Sequence, residues 1–350
     1  MNTEKVLVAM SGGIDSSTTA LMLKNSGYEV IGCLLNMHTN NQQAINDAKL
    51  VSEFIGIELI VEDVSQRFLE VVKDNFYKEY RNGRTPNPCV LCNKEIKFKE
   101  LLSIADKKSI KLVATGHYAN KIYSKENRKY VLKKSKNSSK DQTYMLWRLE
   151  QDELTRIIFP LGEYTNKSVV RRYAEDQKLP VFDKKDSQDI CFIPSNDYHN
   201  FIDEYSASIN DVILGGDVII NGKVIGKHKG IPYYTIGQRR GIGVAYQTPI
   251  YVKQIDAKNN SIEVAILENT FSKGLIATDY NIINNEKLKE GIYNIKIRYK
   301  SKEKLGTAVE QNGQLIVNFN EPISSIALGQ SVVLYENDIL IGGGIISEVF

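Results

Sequence analysis

The stretch VLVAMSGGIDSSTTALML, residues 6–23, decides the fold of the first half of this 350-residue chain. An apolar run typical of a buried strand leads into glycines and serines, and a helix is predicted over residues 16–25. Successive backbone N–H groups in such a turn, with the positive end of a helix behind them, form a binding site for phosphate. We therefore predict a strand, a phosphate-binding loop and a helix in immediate succession.

The charge of this loop is unusual, because it has no lysine and carries Asp15. The lysine of the GxxxxGKS/T loop holds the β and γ phosphates while the terminal one is transferred. A carboxylate suits a loop that holds β and γ phosphates as a pyrophosphate leaving group, with Mg²⁺ between carboxylate and phosphate. Two alternatives stay open: Asp15 caps the helix, or the glycines form a plain turn.

Strand-like and helix-like segments alternate through the first two hundred residues. The strands are VLVAM, YEVIGCLL, IELIVED and KLVATGHY, and the helices cover residues 16–25, 42–54, 66–80 and 95–107. Such alternation indicates a parallel sheet covered by helices on both faces. We predict a doubly wound α/β domain over residues 1–205. Lys94, Lys97 and Lys99, at the start of the last helix, are predicted on its solvent face.

The second part of the chain has short apolar runs separated by glycine, Asn-Gly and Asn-Asn turns, a pattern typical of antiparallel strands. We predict a small β-rich central domain over residues 206–270 and a C-terminal β-barrel over residues 271–350. The lysine-rich run at residues 133–140 is predicted to be a mobile loop.

The composition is that of an ordinary globular protein, with 42% hydrophobic and 25% charged residues and a net charge of +3. No run approaches the roughly 20 apolar residues that a membrane span requires, so we expect no membrane partner. Only five apolar residues precede Ser11, too few for a secretory signal. We therefore expect a cytoplasmic protein.

The four cysteines are too few and too unevenly spaced for a disulfide framework. Cys33 is predicted to be buried in a strand. Cys89 and Cys92 form a CxxC just before or at the start of a predicted helix, whose dipole favours the thiolate. Cys191 follows two lysines, and a buried structural role for it is the open alternative. Three reactive thiols in a domain that activates ATP indicate sulfur transfer.

Several motifs carry a resemblance to known families. SGGIDS resembles the signature of the ATP pyrophosphatases, which adenylate an oxygen and then displace AMP. The motifs RTPNPCVLCNKEIKF, ATGHY, KDQTYML, KKDSQDICFI, YTIGQRRGIG and GQSVVLY, in this order, resemble the bacterial tRNA-specific 2-thiouridylases. That family replaces O2 of the wobble uridine (position 34) of certain tRNAs with sulfur. The resemblance covers essentially the whole chain.

The resemblance implies the reaction and its residues. O2 of the uridine is adenylated with release of pyrophosphate, and sulfur from a cysteine persulfide then displaces AMP. Cys191 would carry the persulfide and Cys92 would be the second catalytic thiol; the two can end as a disulfide. The implied ATP site, with Mg²⁺ tentatively on Asp15, consists of Ala9, Met10, Ser11, Gly12, Gly13, Ile14, Asp15, Ser16, Leu35 and Gly116.

The resemblance also implies the contacts with tRNA. Asn87, Pro88 and Cys89 would face the target uridine, which must be flipped out of the anticodon stack. A sulfur-relay protein or cysteine desulfurase would supply the persulfide. The further residues implied to contact tRNA are His117, Lys140, Asp141, Gln142, Arg298, Tyr299 and Gln330.

Cys89 departs from the family pattern, because many members have aspartate at this position, and a carboxylate near the uridine is therefore missing. Cys89, Cys92 and Cys191 could instead hold a [4Fe–4S] cluster that carries the sulfide. A structural zinc would need His117 or Cys33 as a fourth ligand and is a weaker alternative. An amidating ligase and a catalytically idle RNA-binding protein are the rival functions.

Overall fold

The computed structural model describes residues 3–39, 41–184, 190–193 and 197–350. The N-terminal region contains a five-stranded parallel sheet in the order β3-β2-β1-β4-β7. Its strands are β1 (Lys5–Ala9), β2 (Glu29–Asn36), β3 (Glu58–Asp63), β4 (Leu112–Ala114) and β7 (Ile157–Ile158). Its longer helices are α1 (Ile14–Asn25), α2 (Gln42–Ile55) and α8 (Lys167–Asp176), and α7 (Gln151–Arg156) is short. The predicted α/β class is confirmed.

The central strands β1 and β2 are buried on both faces, which explains their continuous apolar runs. Successive side chains of a strand point to opposite faces. In β1, Val6 and Val8 accordingly pack in one core cluster with residues of α1 and α2, while Leu7 packs in another. Cys33 of β2 lies in the second cluster and is buried, as predicted.

Two helices of the N-terminal region are interrupted by π turns. In the first, α3 (Ser65–Phe68) continues through a π turn (Leu69–Lys73) into α4 (Asp74–Arg81). In the second, α5 (Pro88–Cys92) continues through a π turn (Asn93–Phe98) into α6 (Lys99–Lys107). The second helix therefore begins at Pro88, not at residue 95 as predicted. Both cysteines of the CxxC motif lie in its first turns.

The remaining chain is mostly β-structure. After α9 (Tyr198–Ser208), a four-stranded sheet in the order β10-β11-β8-β9 forms the central region. Six antiparallel strands then close into a barrel, because β12 pairs with both β15 and β17. The central strands are β8 (Gly216–Ile220), β9 (Lys223–His228), β10 (Tyr251–Asp256) and β11 (Ser261–Ala265). The barrel strands are β12 (Phe271–Ile282), β13 (Gly291–Lys296), β14 (Lys304–Gln311), β15 (Gln314–Ser324), β16 (Ser331–Glu336) and β17 (Ile339–Val349).

A hairpin from the N-terminal region joins the barrel sheet. Its strands are β5 (Ala119–Ser124) and β6 (Lys129–Lys134), and β6 pairs antiparallel with β17. The mobile loop predicted at residues 133–140 is therefore wrong, since Lys133 and Lys134 belong to β6 and Ser135 and Asn137 are buried. The side chain of Lys134 is also held in place, because its ammonium pairs with Glu303 at 2.7 Å.

Within the described ranges, no helix is long and apolar enough to cross a membrane. The predicted boundaries at residues 205 and 270 remain predictions.

Candidate active site

The loop between β1 and α1 has the backbone shape of a phosphate site. Gly12 adopts a φ of 70°, and a Cβ there would lie 2.6 Å from the Ala44 carbonyl oxygen, so only glycine fits. Gly13 is the N-cap of α1, without any side-chain cap. The Ser16 hydroxyl accepts a hydrogen bond from Ser11 N at 3.1 Å and donates one to the Gly13 carbonyl. The loop is thus tied to its own helix and opens at the carboxyl end of the sheet.

Asp15 receives two donors from distant parts of the chain. The Tyr118 hydroxyl donates to Oδ1 at 2.9 Å, and the Lys167 ammonium lies 2.7 Å from Oδ2. The alternative in which Asp15 caps the helix is wrong, because Gly13 occupies that position. The lysine that the loop lacks is therefore supplied by α8. Each carboxylate oxygen keeps a second lone pair, so Asp15 can still serve Mg²⁺, which needs only one or two carboxylates beside phosphates.

A second lysine reaches the loop from a different direction. The Lys184 ammonium donates to the Gly12 carbonyl at 3.0 Å and pairs with Asp47 of α2. Lys184 opens the KKDSQDICFI motif, in which residues 185–189 lie outside the described residues. The local sequence around Lys167 and Lys184 predicts no role for either residue. A search for cations that complement an acidic phosphate loop would have drawn attention to both.

The other implied ATP residues support the loop. Gly116 lies against it, since a Cβ there would be 3.0 Å from Ser16 N. Met10 and Ile14 are buried in the core, so only their backbone groups could contact a ligand in the loop. Leu35, near the end of β2, packs against the core and also against the apolar cluster that contains Cys92. Ala9, the last residue of β1, is half-buried.

The three site thiols differ in exposure. Cys92 is 5% exposed and packs with Phe68 and Ile96, its sulfur 4.0 Å from that of Met37. Cys89 is half-buried and Cys191 is exposed. A buried structural role for Cys191 is therefore wrong; its neighbour Phe192 is the residue that packs inward. All four cysteines are free thiols.

Burial controls the acidity of these thiols. It raises the pKa of Cys92 to about 12 and raises the pKa of Cys89. Cys191 is exposed as a residue, but the protein around it still desolvates the thiol and raises its pKa. The predicted stabilisation of thiolate at the helix start is therefore wrong, since desolvation raises the pKa of all three thiols. The Lys97 ammonium opposes burial by lowering the pKa of all three.

Lys97 reaches the thiols because of the π turn. An α-helix turns by about 100° per residue, which would place Lys97 roughly 140° around the axis from Cys92. The i→i+5 spacing of a π turn gives roughly 80° per residue, which brings the two within roughly 40°. The predicted solvent position of Lys97 is wrong, whereas Lys99 is exposed and Lys94 pairs with Glu150. Burial opposes the Lys97 charge, but the neighbouring sulfurs raise its pKa.

His117, implied to contact tRNA, stacks on Phe98 with ring centroids 5.8 Å apart. Its Nδ1 lies 2.9 Å from the Thr115 hydroxyl. Burial and then the Lys97 charge lower its pKa to about 3. His117 is therefore a neutral ring near the Lys97 charge, unsuited to pairing with a phosphate.

The segment implied to face the uridine meets aromatic side chains from elsewhere in the chain. Asn87 caps α5 by accepting from Val90 N at 3.4 Å, and Pro88 occupies the first helical position. The Asn87 side chain also hydrogen-bonds to Tyr144. The Tyr144 and Tyr299 rings lie 6.1 Å apart, and Tyr299 interacts electrostatically with Cys89. The structure thus brings Asn87 and Cys89 together with Tyr299 of the barrel region.

The remaining implied tRNA residues make internal contacts. Asp141 accepts from Ser135 N and from Thr143, and Gln142 accepts from Tyr118 N at 2.9 Å. The Lys140 amide donates to the Asn137 carbonyl.

Two residues of the C-terminal region link it to its neighbours. The Arg298 guanidinium donates to the carbonyls of Ile236, in the segment between β9 and β10, and of Ser325, so it joins the central region to the barrel region. The Gln330 amide donates to the carbonyls of Thr85 and Pro86.

In the part of the chain that the structure describes, no group of three or more His, Cys, Asp or Glu side chains is arranged to hold a metal ion. The iron–sulfur and zinc alternatives thus find no support in its geometry.

Comparisons with known proteins cover the whole chain. Family models described as tRNA methyl transferase HUP domain, tRNA methyl transferase PRC-barrel domain and aminomethyltransferase beta-barrel domain match residues 4–195, 199–266 and 272–346. The tRNA-specific 2-thiouridylase MnmA of Natranaerobius thermophilus is 43% identical over 99% of this chain and 98% of its own length. MnmA 1 of Clostridium botulinum is 44% identical over 99% of both chains. The solved U34-tRNA thiolase NcsA of Methanococcus maripaludis, with its [4Fe–4S] cluster, covers 60% of this chain and 68% of its own at 19% identity. Its TM-score is 0.37, a likeness too low to bear on function.

Proposed function

Because the chain belongs to the tRNA-specific 2-thiouridylase family, we propose that it replaces O2 of the wobble uridine of tRNA with sulfur at the expense of ATP. One observation carries this proposal. Lys184, at the start of the motif that contains Cys191, donates to the phosphate loop itself. Leu35 likewise links the end of β2 to the Cys92 cluster. The segments that carry the two catalytic thiols therefore adjoin the loop expected to bind ATP.

In the first step, the uridine O2 attacks the α phosphate of ATP and pyrophosphate leaves. The backbone N–H groups around Gly12 and Gly13 would hold the β and γ phosphates. Lys167 and Lys184 would neutralise the charge that develops on the leaving pyrophosphate. Asp15 would hold Mg²⁺ against these phosphates.

In the second step, the outer sulfur of a Cys191 persulfide attacks C2 of the adenylated uridine, and the C2–O2 bond breaks to release AMP. The Cys92 thiolate then attacks Cys191 Sγ. The S–S bond breaks, sulfur stays on C2 and a Cys92–Cys191 disulfide remains. An external thiol reduces this disulfide for the next turnover. The Lys97 charge would favour the anionic sulfur in each of these steps.

The flipped uridine would lie beside Asn87 and Cys89, where the half-buried ring of Tyr299 could stack on it, with the buried Tyr144 ring behind Tyr299. The barrel region would bind the body of the tRNA. The persulfide would come from a sulfur-relay protein or a cysteine desulfurase in the cytoplasm, a donor that can reach Cys191 because this thiol is exposed.

The proposal is tested by mass spectrometry of tRNA nucleosides after incubation with ATP, Mg²⁺ and a persulfide source. Wild-type protein should form 2-thiouridine with release of AMP and pyrophosphate. Cys191→Ser should release pyrophosphate but add no sulfur, while Cys33→Ala, which removes a thiol buried inside β2, serves as the cysteine control. Formation of ADP and orthophosphate, or normal thiolation by Cys191→Ser, would contradict the mechanism.

Cys89 leaves the cluster-based variant of the same reaction to be tested. Anaerobic reconstitution with iron and sulfide, followed by iron counting and optical spectra, decides it. Iron-free protein that thiolates tRNA normally excludes a required cluster. Dependence of thiolation on bound iron would replace the persulfide step with transfer of sulfide from a [4Fe–4S] cluster.

A further inference from the structure

A turn of the barrel holds the chain just before the CxxC motif. The Gln330 side-chain amide donates to the Thr85 carbonyl at 2.9 Å and to the Pro86 carbonyl at 3.0 Å. In return, Thr85 N donates to the Leu328 carbonyl at 2.7 Å. Three hydrogen bonds therefore tie residues 85–86 to residues 328–330, although more than two hundred positions separate them along the chain.

The barrel side of this contact is itself well anchored. Gly329 N donates to the Ile346 carbonyl, and Ile346 N donates to the Gln330 carbonyl, both at 2.9 Å. Gly329 has a φ of 85°, and a Cβ there would lie 3.0 Å from Glu79 Oε2 and 3.1 Å from the Thr85 carbonyl oxygen. Because the hairpin strand β6 pairs with β17, the barrel is also joined to the N-terminal region through a shared sheet. The turn at residues 328–330 is therefore anchored to the barrel, and it holds the Thr85–Pro86 backbone by hydrogen bonds.

The held residues immediately precede Asn87, Pro88 and Cys89. Pro86 and Pro88 have their φ fixed near −65° by their rings, so little freedom remains between the held peptide and the first turn of α5. The orientation of the Thr85 and Pro86 carbonyls consequently sets the direction in which the chain continues from this contact to Asn87 and Cys89. Since both partners are carbonyls, Gln330 can act here only as a donor.

We propose that Gln330 is a positioning residue that orients the Asn87–Cys89 segment for the sulfur-transfer step, and that it does not act through affinity for tRNA. This inference rests on the proposed function, because the segment it orients is the one expected to face the uridine. It assigns the barrel a second task besides RNA binding, which is to complete the catalytic loop.

The two roles predict different kinetics. Loss of a tRNA contact weakens binding and leaves the rate at saturating tRNA unchanged. Loss of a positioning contact slows the step at saturating tRNA, because displacing a reacting group by about 1 Å can cost on the order of 100-fold. Gln330→Ala removes both donors, and Gln330→Glu places a carboxylate against two carbonyl oxygens at nearly constant shape.

The experiment measures the dissociation constant for tRNA and the single-turnover thiolation rate at saturating tRNA, using full-length protein loaded with persulfide. Gln330→Ala should lower the rate by about tenfold or more and keep the dissociation constant within about twofold. Gln330→Glu should be slower still. Gln311→Ala, at an exposed position of the same barrel, is the matched control and should behave as wild type. A weaker tRNA affinity with an unchanged rate would overturn the proposal.

Hydrogen exchange separates this inference from the proposed function. The Thr85 amide, bonded to Leu328, should exchange faster in Gln330→Ala than in wild type, and unchanged protection would overturn the positioning role. This readout stands even if wild-type protein does not thiolate tRNA, a result that would contradict only the proposed function. If Gln330→Ala does not fold, Gln330→Asn, which keeps the amide but is one methylene shorter, should show the same effects in weaker form.

Discussion

The Lys167 ammonium lies 2.7 Å from Oδ2 of Asp15, although 152 positions separate the two residues in the chain. The pair places a cation at a phosphate loop that has no lysine of its own. It also explains how an aspartate can stand beside a polyanion, since the carboxylate and the ammonium compensate each other until phosphate binds.

Replacing Lys167 should therefore impair the first half-reaction. In Lys167→Met, Asp15 loses its counter-charge and would repel the phosphates, so we expect pyrophosphate release to fall by on the order of 100-fold. Arg172→Met, exposed on the same helix, is the control and should retain the wild-type rate. Pyrophosphate release measured with saturating tRNA checks this, and an unchanged rate in Lys167→Met would remove Lys167 from the phosphate site.

Asp15 should determine the requirement for Mg²⁺. Asp15→Asn keeps the shape of the side chain and removes its charge, so more Mg²⁺ should be needed for half-maximal pyrophosphate release. Titration of Mg²⁺ at fixed ATP gives this concentration for both proteins. An identical requirement would show that Asp15 does not hold the metal and that its pairing with Lys167 is its main task.

Substitution of Gly12 by alanine combines backbone strain, from a positive φ, with steric overlap of the added Cβ. Gly12→Ala should lower the free energy of unfolding by about 1–3 kcal/mol and abolish ATP binding, because its Cβ would meet the Ala44 carbonyl at 2.6 Å. Gly222→Ala has a similar φ of 75° but open space around it, so it should cost only about 1 kcal/mol and leave ATP affinity intact. Denaturant unfolding and calorimetric titration with ATP measure both. Equal stability losses in the two variants would show that the contact with Ala44 has no energetic effect.

The thiols should differ in reactivity with alkylating agents. Cys92 has a pKa of about 12, so roughly one molecule in ten thousand carries its thiolate at pH 8. Its labelling by iodoacetamide should rise about tenfold per pH unit up to about pH 11. Exposed Cys191 should react first, and peptide mapping by mass spectrometry distinguishes the two. Equally rapid labelling of Cys92 at pH 8 would mean that the buried conformation is not the dominant one.

Lys97 should set the reactivity of Cys191. Its positive charge lowers the pKa of this thiol, so Lys97→Met should raise the pKa and shift the pH profile of alkylation towards higher pH. At pH 8 the labelling rate should fall severalfold, on the order of tenfold for each pKa unit. Lys99→Met removes a charge from the exposed side of the same helix and should leave the profile in place. A profile shared by all three proteins would contradict the electrostatic role of Lys97.

Several features of this protein follow from local sequence. The alternation of apolar strands and helices predicts the parallel sheet, because a strand buried on both faces must be apolar at every position. Glycine at position 12, between a strand and a helix, likewise predicts a tight loop that presents backbone N–H groups. Burial of Cys33 follows from its position inside such a strand.

The sequence thus determined the order of the elements and the chemical groups available, because backbone propensity and apolar periodicity act over a few residues. Only the tertiary structure decided which groups meet. Lys167 reaches Asp15 across the sheet, and Gln330 reaches Thr85 from the barrel, through contacts between segments that carry no local signal of each other. Lys97 turns towards the thiols because a π turn shifts the helical register, and Cys92 stays protonated because its burial in a packed interior raises its pKa.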